Sequence, residues 1–158
     1  MPNVYLSLGT NLGNKSNNIN RAIELLQEQV GDLILLSALY QSEPWGFESE
    51  NSFLNAAALF HTELKPLELL TVTQRIEQKL GRKIKSSGTT YSDRIIDIDI
   101  LFYDDLVIES PKLTIPHPHI ASREFVLHPL EEIAPNFRHP ILKRSISELY
   151  LSLKHILS

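Results

Sequence analysis

The sequence predicts an α+β fold, an antiparallel sheet with two helices on one face. Two observations predict it. Apolar runs of strand length, alternating with polar residues or rich in β-branched ones, stand at residues 3–8, 33–40, 53–61 and 93–103. Two stretches with helical apolar spacing separate the first run from the second and the third from the fourth, giving the order β-α-β-β-α-β before a C-terminal hairpin and helix.

Val4, Leu6 and Leu8 alternate with Tyr5 and Ser7 in the first strand, and the turn residues Gly9-Thr10-Asn11-Leu12-Gly13-Asn14 break it. That turn lacks the lysine of a phosphate-binding loop and the third glycine of a dinucleotide fingerprint, so it reads first as a plain connection. Ser16 or Asn17 is expected to cap the first helix, with Ile19, Ala22, Ile23, Leu26 and Val30 inward and Gly31 as the stop. Leu33 to Tyr40 is expected as a largely buried strand. The loop Gln41-Ser42-Glu43-Pro44-Trp45-Gly46-Phe47 holds the one tryptophan, and its aromatics serve either to cover the core or to stack on a flat ligand. In the third strand Phe53, Asn55, Ala57 and Leu59 face one way and Leu54, Ala56, Ala58 and Phe60 the other. Asn55 is the polar exception, suited to satisfying nearby backbone or to reading the polar edge of a ligand. Pro66 opens the second helix, Leu69, Val72, Ile76 and Leu80 point inward, and Gly81 follows. Gln74 and Glu77, three apart, share one flank of it.

The fourth strand carries the chemistry. In Asp93-Arg94-Ile95-Ile96-Asp97-Ile98-Asp99-Ile100-Leu101-Phe102-Tyr103, Ile96, Ile98, Ile100 and Phe102 are expected on one face and Asp97 and Asp99 on the other. Two residues of rise set those carboxylates roughly 6.5–7 Å apart at the backbone. Like charges that close repel unless a cation lies between them, and aspartate is a poor strand former, so the pair points to divalent metal; a solvated strand face is the other reading. Ahead of the strand, residues 82–94 gather Arg82, Lys83, Lys85 and Arg94 against Asp93. Cations beside paired acids suit a metal-bridged polyphosphate, and such a loop is expected to close over a nucleotide. Asp104-Asp105 is expected to turn into a short returning strand, Leu106 to Ile108. Leu113 to His119 is expected to lack regular structure, a short helical turn to lie near Arg123, and Phe125 to Glu132 to be irregular. Ser145 to Ile156 forms a last amphipathic helix with Ile146, Leu149, Leu153 and Ile156 on one side.

The composition narrows the classes. A chain of 158 residues with 42% apolar and 22% charged residues is expected to form one globular domain over residues 1–158. A net charge of −4 gives no reason to expect general nucleic-acid binding, so any phosphate ligand must meet a local basic cluster. The absence of cysteine excludes disulfides, thiolate catalysis and cysteine-based zinc sites. With no signal peptide or membrane-length apolar run at hand, a soluble, cytoplasmic protein is expected.

These motifs resemble one family, the 6-hydroxymethyl-7,8-dihydropterin pyrophosphokinases. The signature is Arg94-Ile95-Ile96-Asp97-Ile98-Asp99-Ile100-Leu101. It stands with Ser7-Leu8-Gly9-Thr10-Asn11-Leu12-Gly13, Ser42-Glu43-Pro44-Trp45-Gly46, Phe53-Leu54-Asn55-Ala56-Ala57, Thr73-Gln74-Arg75-Ile76-Glu77, and Leu113-Thr114-Ile115-Pro116-His117 followed by Arg123 and Phe125. The resemblance runs from about residue 3 to Pro135 and implies the ferredoxin-like form of the fold. It implies transfer of pyrophosphate from ATP to a pterin hydroxymethyl group, with Arg94, Asp97 and Asp99 catalytic and Asp97 and Asp99 holding two Mg²⁺ ions. Ser42, Glu43, Pro44, Trp45, Phe53, Asn55 and Phe125 match the pterin site. Gln74, Glu77, Lys83, Lys85, Tyr91, Arg94, Ile100, Lys112, Thr114, His117 and Arg123 match the nucleotide site. Where the family loop often reads Arg-Trp-Gly-Pro-Arg, this chain has Thr90-Tyr91-Ser92-Asp93-Arg94, and Lys112 stands for an arginine, without its fork geometry. The partners implied are the two small substrates, with no nucleic acid and no membrane, and a monomer is expected. The competing readings are a non-catalytic ferredoxin-like ligand-binding module and a Mg²⁺-dependent phosphohydrolase using the same acids on water.

Overall fold

The computed structural model describes residues 1–42, 52–81 and 95–157. Its elements are β1 (Asn3–Thr10), α1 (Lys15–Gln29), β2 (Gly31–Leu36), β3 (Tyr40–Ser42), β4 (Phe53–Thr62), α2 (Pro66–Leu80), β5 (Asp97–Tyr103), β6 (Ile108–Glu109), β7 (Thr114–Ile115), a 3-10 turn (Ile120–Ser122), α3 (Glu124–Ile133) and α4 (Ile146–Leu157). The main sheet runs β2-β4-β1-β5, with β3 also on β4, and each pairing is antiparallel. That order is the ferredoxin-like arrangement.

Strand alternation divides the apolar residues between two layers. Val4, Leu6, Leu8, Ala56, Ala58, Phe60, Ile96, Ile98 and Ile100 meet α1 and α2 through Ile19, Ile23, Leu26, Leu69 and Ile76. Tyr5, Ala57, Leu59, Leu101 and Phe102 face the other way, onto Val126, Leu127 and Leu130 of α3 and Ile146, Leu149 and Leu153 of α4. The sheet is therefore covered on both faces, where the sequence predicted helices on one.

Phe102 departs from its expected face. The β1–β5 register slips between Tyr5 and Leu6, so that Tyr5 pairs with Phe102 and Leu6 with Ile100. The extra residue breaks the alternation. Ile100 stays with the α1/α2 layer, while Leu101 and Phe102 both join the α3/α4 layer, where Phe102 meets the rings of Tyr5, Phe137 and His139.

Other expectations shift for local reasons. Asn14 caps α1, accepting from the Asn17 amide at 3.2 Å, two residues before Ser16 and three before Asn17. Gly31 follows α1 and opens β2, where an added Cβ would stand 1.9 Å from the His61 carbonyl oxygen. The second strand is split into β2 and β3, and it is an edge, so Ile34, Leu35 and Leu36 are 42%, 44% and 40% exposed. The Asp104-Asp105 turn forms, but the strand after it pairs forward with Thr114-Ile115. The outer edge of β5 is taken instead by the Glu77 carboxylate, accepting from the Ile98 amide at 2.8 Å, and by the His117 amide, donating to the Leu101 carbonyl at 3.1 Å. Residues 124–133 are helical despite Pro129, which withholds an amide from the carbonyl one turn before it; burial of Val126, Leu127, Pro129 and Leu130 offsets that loss. In α4, Ile156 is 78% exposed and leaves the buried stripe.

Phe102 is fully buried among three rings. Phe102→Ala is expected to lower unfolding stability by about 3–5 kcal/mol, read as a shift in the urea midpoint at unchanged slope.

Candidate active site

The face that carries the α3/α4 layer at one end of the sheet is polar at the other. Gly9 pairs with Asn55 of β4 on one side and with Asp97 of β5 on the other. Partners across an antiparallel ladder share a face, so Asn55, Gly9 and Asp97 form one row. Ser7 pairs with Asp99 in the row beneath. Sequence reading left Gly9 in a turn; it lies inside β1, which extends to Thr10. A glycine within a strand marks a close approach, and here an added Cβ would come 3.3 Å from Asn55 Oδ1 and 3.7 Å from the Phe53 ring.

Asn55 is 2% exposed and its orientation is fixed. Its Nδ2 donates to the Tyr40 carbonyl at 3.3 Å and to Ser42 Oγ at 2.7 Å. A carbonyl only accepts, so the amide nitrogen must lie on the β3 side, and Oδ1 is the atom turned toward Gly9. Phe53 pairs with Ser42 on the same face. The predicted pterin-site residues Ser42, Phe53 and Asn55 are thus gathered on two paired strands. Phe125 stands in the first turn of α3, 5.7 Å from the buried Arg123 guanidinium.

On the acid side, Asp97 and Asp99 are half-buried on β5. His117 is docked on β5 through its amide. Burial, with the positive charge of Arg123 and then His119 adding to it, lowers the His117 pKa to about 4, against a partial rise from Asp97. Its Nδ1 accepts from the His119 amide at 3.2 Å, so the neutral ring carries its proton on Nε2. His117, Arg123 and Asp97 therefore face one another electrostatically. Glu77 is buried and holds the β5 backbone. The Ile100 side chain is in the α1/α2 layer. Gln74, Lys112 and Thr114 are exposed, on α2, in the β6–β7 connection and on β7. Glu43, Pro44, Trp45, Lys83, Lys85, Tyr91 and Arg94 lie outside the described residues.

The donor set suits Mg²⁺ better than a metal caged by protein. Among the described residues no group of three or more His, Cys, Asp or Glu side chains could hold a metal ion. Mg²⁺ is commonly held by one or two carboxylates, with waters and substrate phosphates completing its shell.

The sequence matches the family described as 7,8-dihydro-6-hydroxymethylpterin-pyrophosphokinase (HPPK) over residues 5–135. It is 50% identical over 138 residues to the 2-amino-4-hydroxy-6-hydroxymethyldihydropteridine pyrophosphokinase of Porphyromonas gingivalis, covering 87% of this chain and 93% of that one. It is 41% identical over 148 residues to the protein of the same name from Aquifex aeolicus, covering 94% and 90%. The fold matches a crystal structure of an HPPK-DHPS in complex with substrates, with a TM-score of 0.78 at 17% identity over 99% of this chain. The chain spans 44% of that structure's length. The chain belongs to the 7,8-dihydro-6-hydroxymethylpterin-pyrophosphokinase family.

The low His117 pKa has a signed consequence. Its ordinary value is 6.5 and its folded value about 4, so the unfolded chain takes up this proton first as pH falls. The contribution to stability is complete above pH 6.5 and is lost between 6.5 and about 4. An imidazole NMR titration of the metal-free, nucleotide-free protein is expected to place the His117 midpoint near 4; a midpoint at 6.5 would contradict the geometry.

Proposed function

We propose that the chain transfers the β,γ-pyrophosphate of ATP to the hydroxymethyl group of 6-hydroxymethyl-7,8-dihydropterin, releasing AMP, as the 2-amino-4-hydroxy-6-hydroxymethyldihydropteridine diphosphokinase of folate biosynthesis. The observation that carries this reading is the Asn55–Gly9–Asp97 row. It sets an amide acceptor and a carboxylate pair on one sheet face, separated by a strand without a side chain. Two strand spacings make that separation roughly 9–10 Å.

The residues divide the work. Asn55 Oδ1 accepts from the ring N–H and amino donors of the pterin edge, because its own amide hydrogens are engaged by Tyr40 and Ser42. Gly9 leaves room for the ring, and Phe53 and Phe125 supply flat apolar surface against it. Ser42 stands on this wall beside Asn55, and we assign Glu43, Pro44 and Trp45 to pterin binding as well. His117 donates from Nε2 to a phosphate oxygen, with Arg123 as the neighbouring cation. Glu77 serves by holding the Ile98 amide and with it the strand that bears the acids. We assign Gln74, Lys112 and Thr114, with Lys83, Lys85, Tyr91 and Arg94 of the basic segment, to nucleotide binding; Ile100, whose side chain is in the core, has only its backbone on β5 to offer. Asp97 and Asp99 would hold Mg²⁺, two ions in this proposal, which would supply positive charge to neutralise the polyphosphate. In the reaction the hydroxymethyl oxygen bonds to the β-phosphorus, the bond from that phosphorus to the AMP oxygen breaks with its electron pair leaving on AMP, and the hydroxyl proton passes to solvent water. Positioning and charge neutralisation carry most of such a transfer.

Residues 1–158 work as one pyrophosphokinase domain. The similar length of the Porphyromonas gingivalis relative supports this. We take the chain to act as a monomer. No described helix is long and apolar enough to cross a membrane. The use of ATP as co-substrate fits the cytoplasm, where we place the chain.

Incubation with Mg²⁺, ATP and the hydroxymethyl dihydropterin is expected to give pterin-dependent AMP. Phosphate release without pterin would identify a hydrolase, and ligand binding without turnover a non-catalytic module. Asp97→Ala and Asp99→Ala should each lower AMP formation on the order of 10²–10³-fold or more while circular dichroism stays native. Gly9→Ala should raise the pterin KM about tenfold by crowding Asn55 Oδ1. An unchanged pterin KM in Gly9→Ala would remove this row from the binding site.

A further inference from the structure

The step between β2 and β3 is built from side chains. Ser37, Ala38 and Leu39 leave the ladder between Leu36 and Tyr40. The Ser37 amide still donates to the Ala57 carbonyl at 2.9 Å, but the Ala57 amide donates to Ser37 Oγ, also at 2.9 Å, and that hydroxyl donates to the Ala38 carbonyl at 2.7 Å. A side chain has taken the place of a strand carbonyl. The Ala38 amide is turned outward, to Glu132 on α3, at 3.0 Å from Oε1 and 3.3 Å from Oε2.

Tyr40 continues the link. Its hydroxyl donates to Glu132 Oε1 at 2.6 Å, and its ring lies against His128 with centroids 4.2 Å apart. His128 and Glu132 are four apart on α3 and so share one flank. His128 in turn stacks on Tyr150 of α4 at 5.3 Å, with the planes 17° apart. At its backbone, Tyr40 accepts the Asn55 amide, whose second hydrogen goes to Ser42. One residue thus joins the C-terminal end of α3 to the side chain proposed to read the pterin. The N-terminal end of the same helix bears Phe125, proposed to stack on it.

We propose that Glu132 is a positioning residue for the pterin subsite. Its carboxylate sets β3 against α3. Through the Tyr40 carbonyl and Ser42 Oγ, it sets the direction in which Asn55 presents Oδ1. Glu132 touches neither substrate in this scheme. Loss of its two donors lets β3 move relative to α3, and the acceptor on Asn55 and the ring of Phe125 lose their common frame. The acids on β5 belong to the opposite edge of the sheet, so the nucleotide side is spared. The proposal rests on the pyrophosphokinase reading above and goes beyond it to a residue outside the site.

The test compares Glu132→Ala, Glu132→Gln and Tyr40→Phe with the wild-type chain. In Glu132→Ala the pterin KM is expected to rise about 5–20-fold, the scale of a lost charge-assisted contact, with the ATP KM and kcat within about twofold. Glu132→Gln keeps an oxygen that accepts from the Ala38 amide and the Tyr40 hydroxyl, and should return the pterin KM to within about threefold of wild type. Tyr40→Phe keeps the ring against His128 and loses the hydroxyl, and should fall between the two. An unchanged pterin KM in Glu132→Ala overturns the proposal. So does a parallel rise of both KM values with a lowered melting temperature, which would mark Glu132 as merely structural. A second readout is independent of catalysis. In ligand-free protein the Asn55 side-chain amide NMR signals should shift in Glu132→Ala and return toward wild type in Glu132→Gln. Unmoved Asn55 signals overturn the link. A wild-type chain without pterin-dependent AMP overturns the pyrophosphokinase reading and leaves the NMR result to decide the link.

Discussion

Backbone pairing on both sides of β1 is the constraint on which the rest of the structure depends. Because Gly9 is matched to Asn55 on one flank and Asp97 on the other, two chemically unrelated side chains from residues 42 positions apart in sequence stand in one row. A slip of one residue in either pairing would turn one of them into the α1/α2 layer. The same face changes character along its length. Tyr5, Ala57, Leu59 and Phe102 are covered by α3 and α4, whereas further along the strands the face becomes polar, at Ser7, Asn55 and Asp99. A strand face that is core at one end and site at the other gives the site a rigid floor. Rigid elements hold functional groups more precisely than loops do.

The edge strand β5 shows how this floor is finished. An edge carries unpaired backbone groups, and those of β5 are partly occupied by the Glu77 carboxylate and the amide of His117. Each contact does two things. Glu77 ties α2 to the strand that bears the acids, and the His117 amide brings its imidazole within electrostatic range of Asp97 and Arg123. The bulge at the Tyr5/Leu6 step then lets one strand serve both layers, with Ile96, Ile98 and Ile100 on one side and Leu101 and Phe102 on the other. Strand register, edge satisfaction and site electrostatics are here consequences of the same few contacts.

Much of this was legible in the sequence where a period-two pattern runs unbroken. Asp97 and Asp99 are on one face, as alternation requires, and Asn55 is the polar member of a row that otherwise faces the α3/α4 layer. The exceptions have specific causes. Phe102 changes face because of a bulge, which leaves no trace in composition. Residues 124–133 are helical although Pro129 reads as a breaker, because the proline ring is itself buried. The leucines of β2 look like core but lie on an edge, and edge position is a property of topology rather than of the segment. Gly9 reads as a turn residue because its neighbours Asn11, Gly13 and Asn14 are turn formers; its place within a strand is visible only once Asn55 stands opposite. The lowered pKa of His117 depends on Arg123 and on burial against β5, neither of which a local window contains.

The choice of asparagine at position 55 follows from the same geometry. The site asks one side chain to donate twice toward β3 and to accept on the opposite side. An aspartate would set carboxylate lone pairs against the Tyr40 carbonyl, which also only accepts, and leave a buried charge at a residue 2% exposed. A glutamine has the right groups but an extra methylene, in a space where Gly9 already lacks a Cβ to avoid contact at 3.3 Å. A serine is too short to reach both the Tyr40 carbonyl and the Ser42 hydroxyl. Asparagine alone among these spans the distance with donors on one end and an acceptor on the other. Under the proposed reading, that amide can read ligand polarity only while β3 keeps its position. Recognition would then depend, through Tyr40, on the contact between β3 and α3.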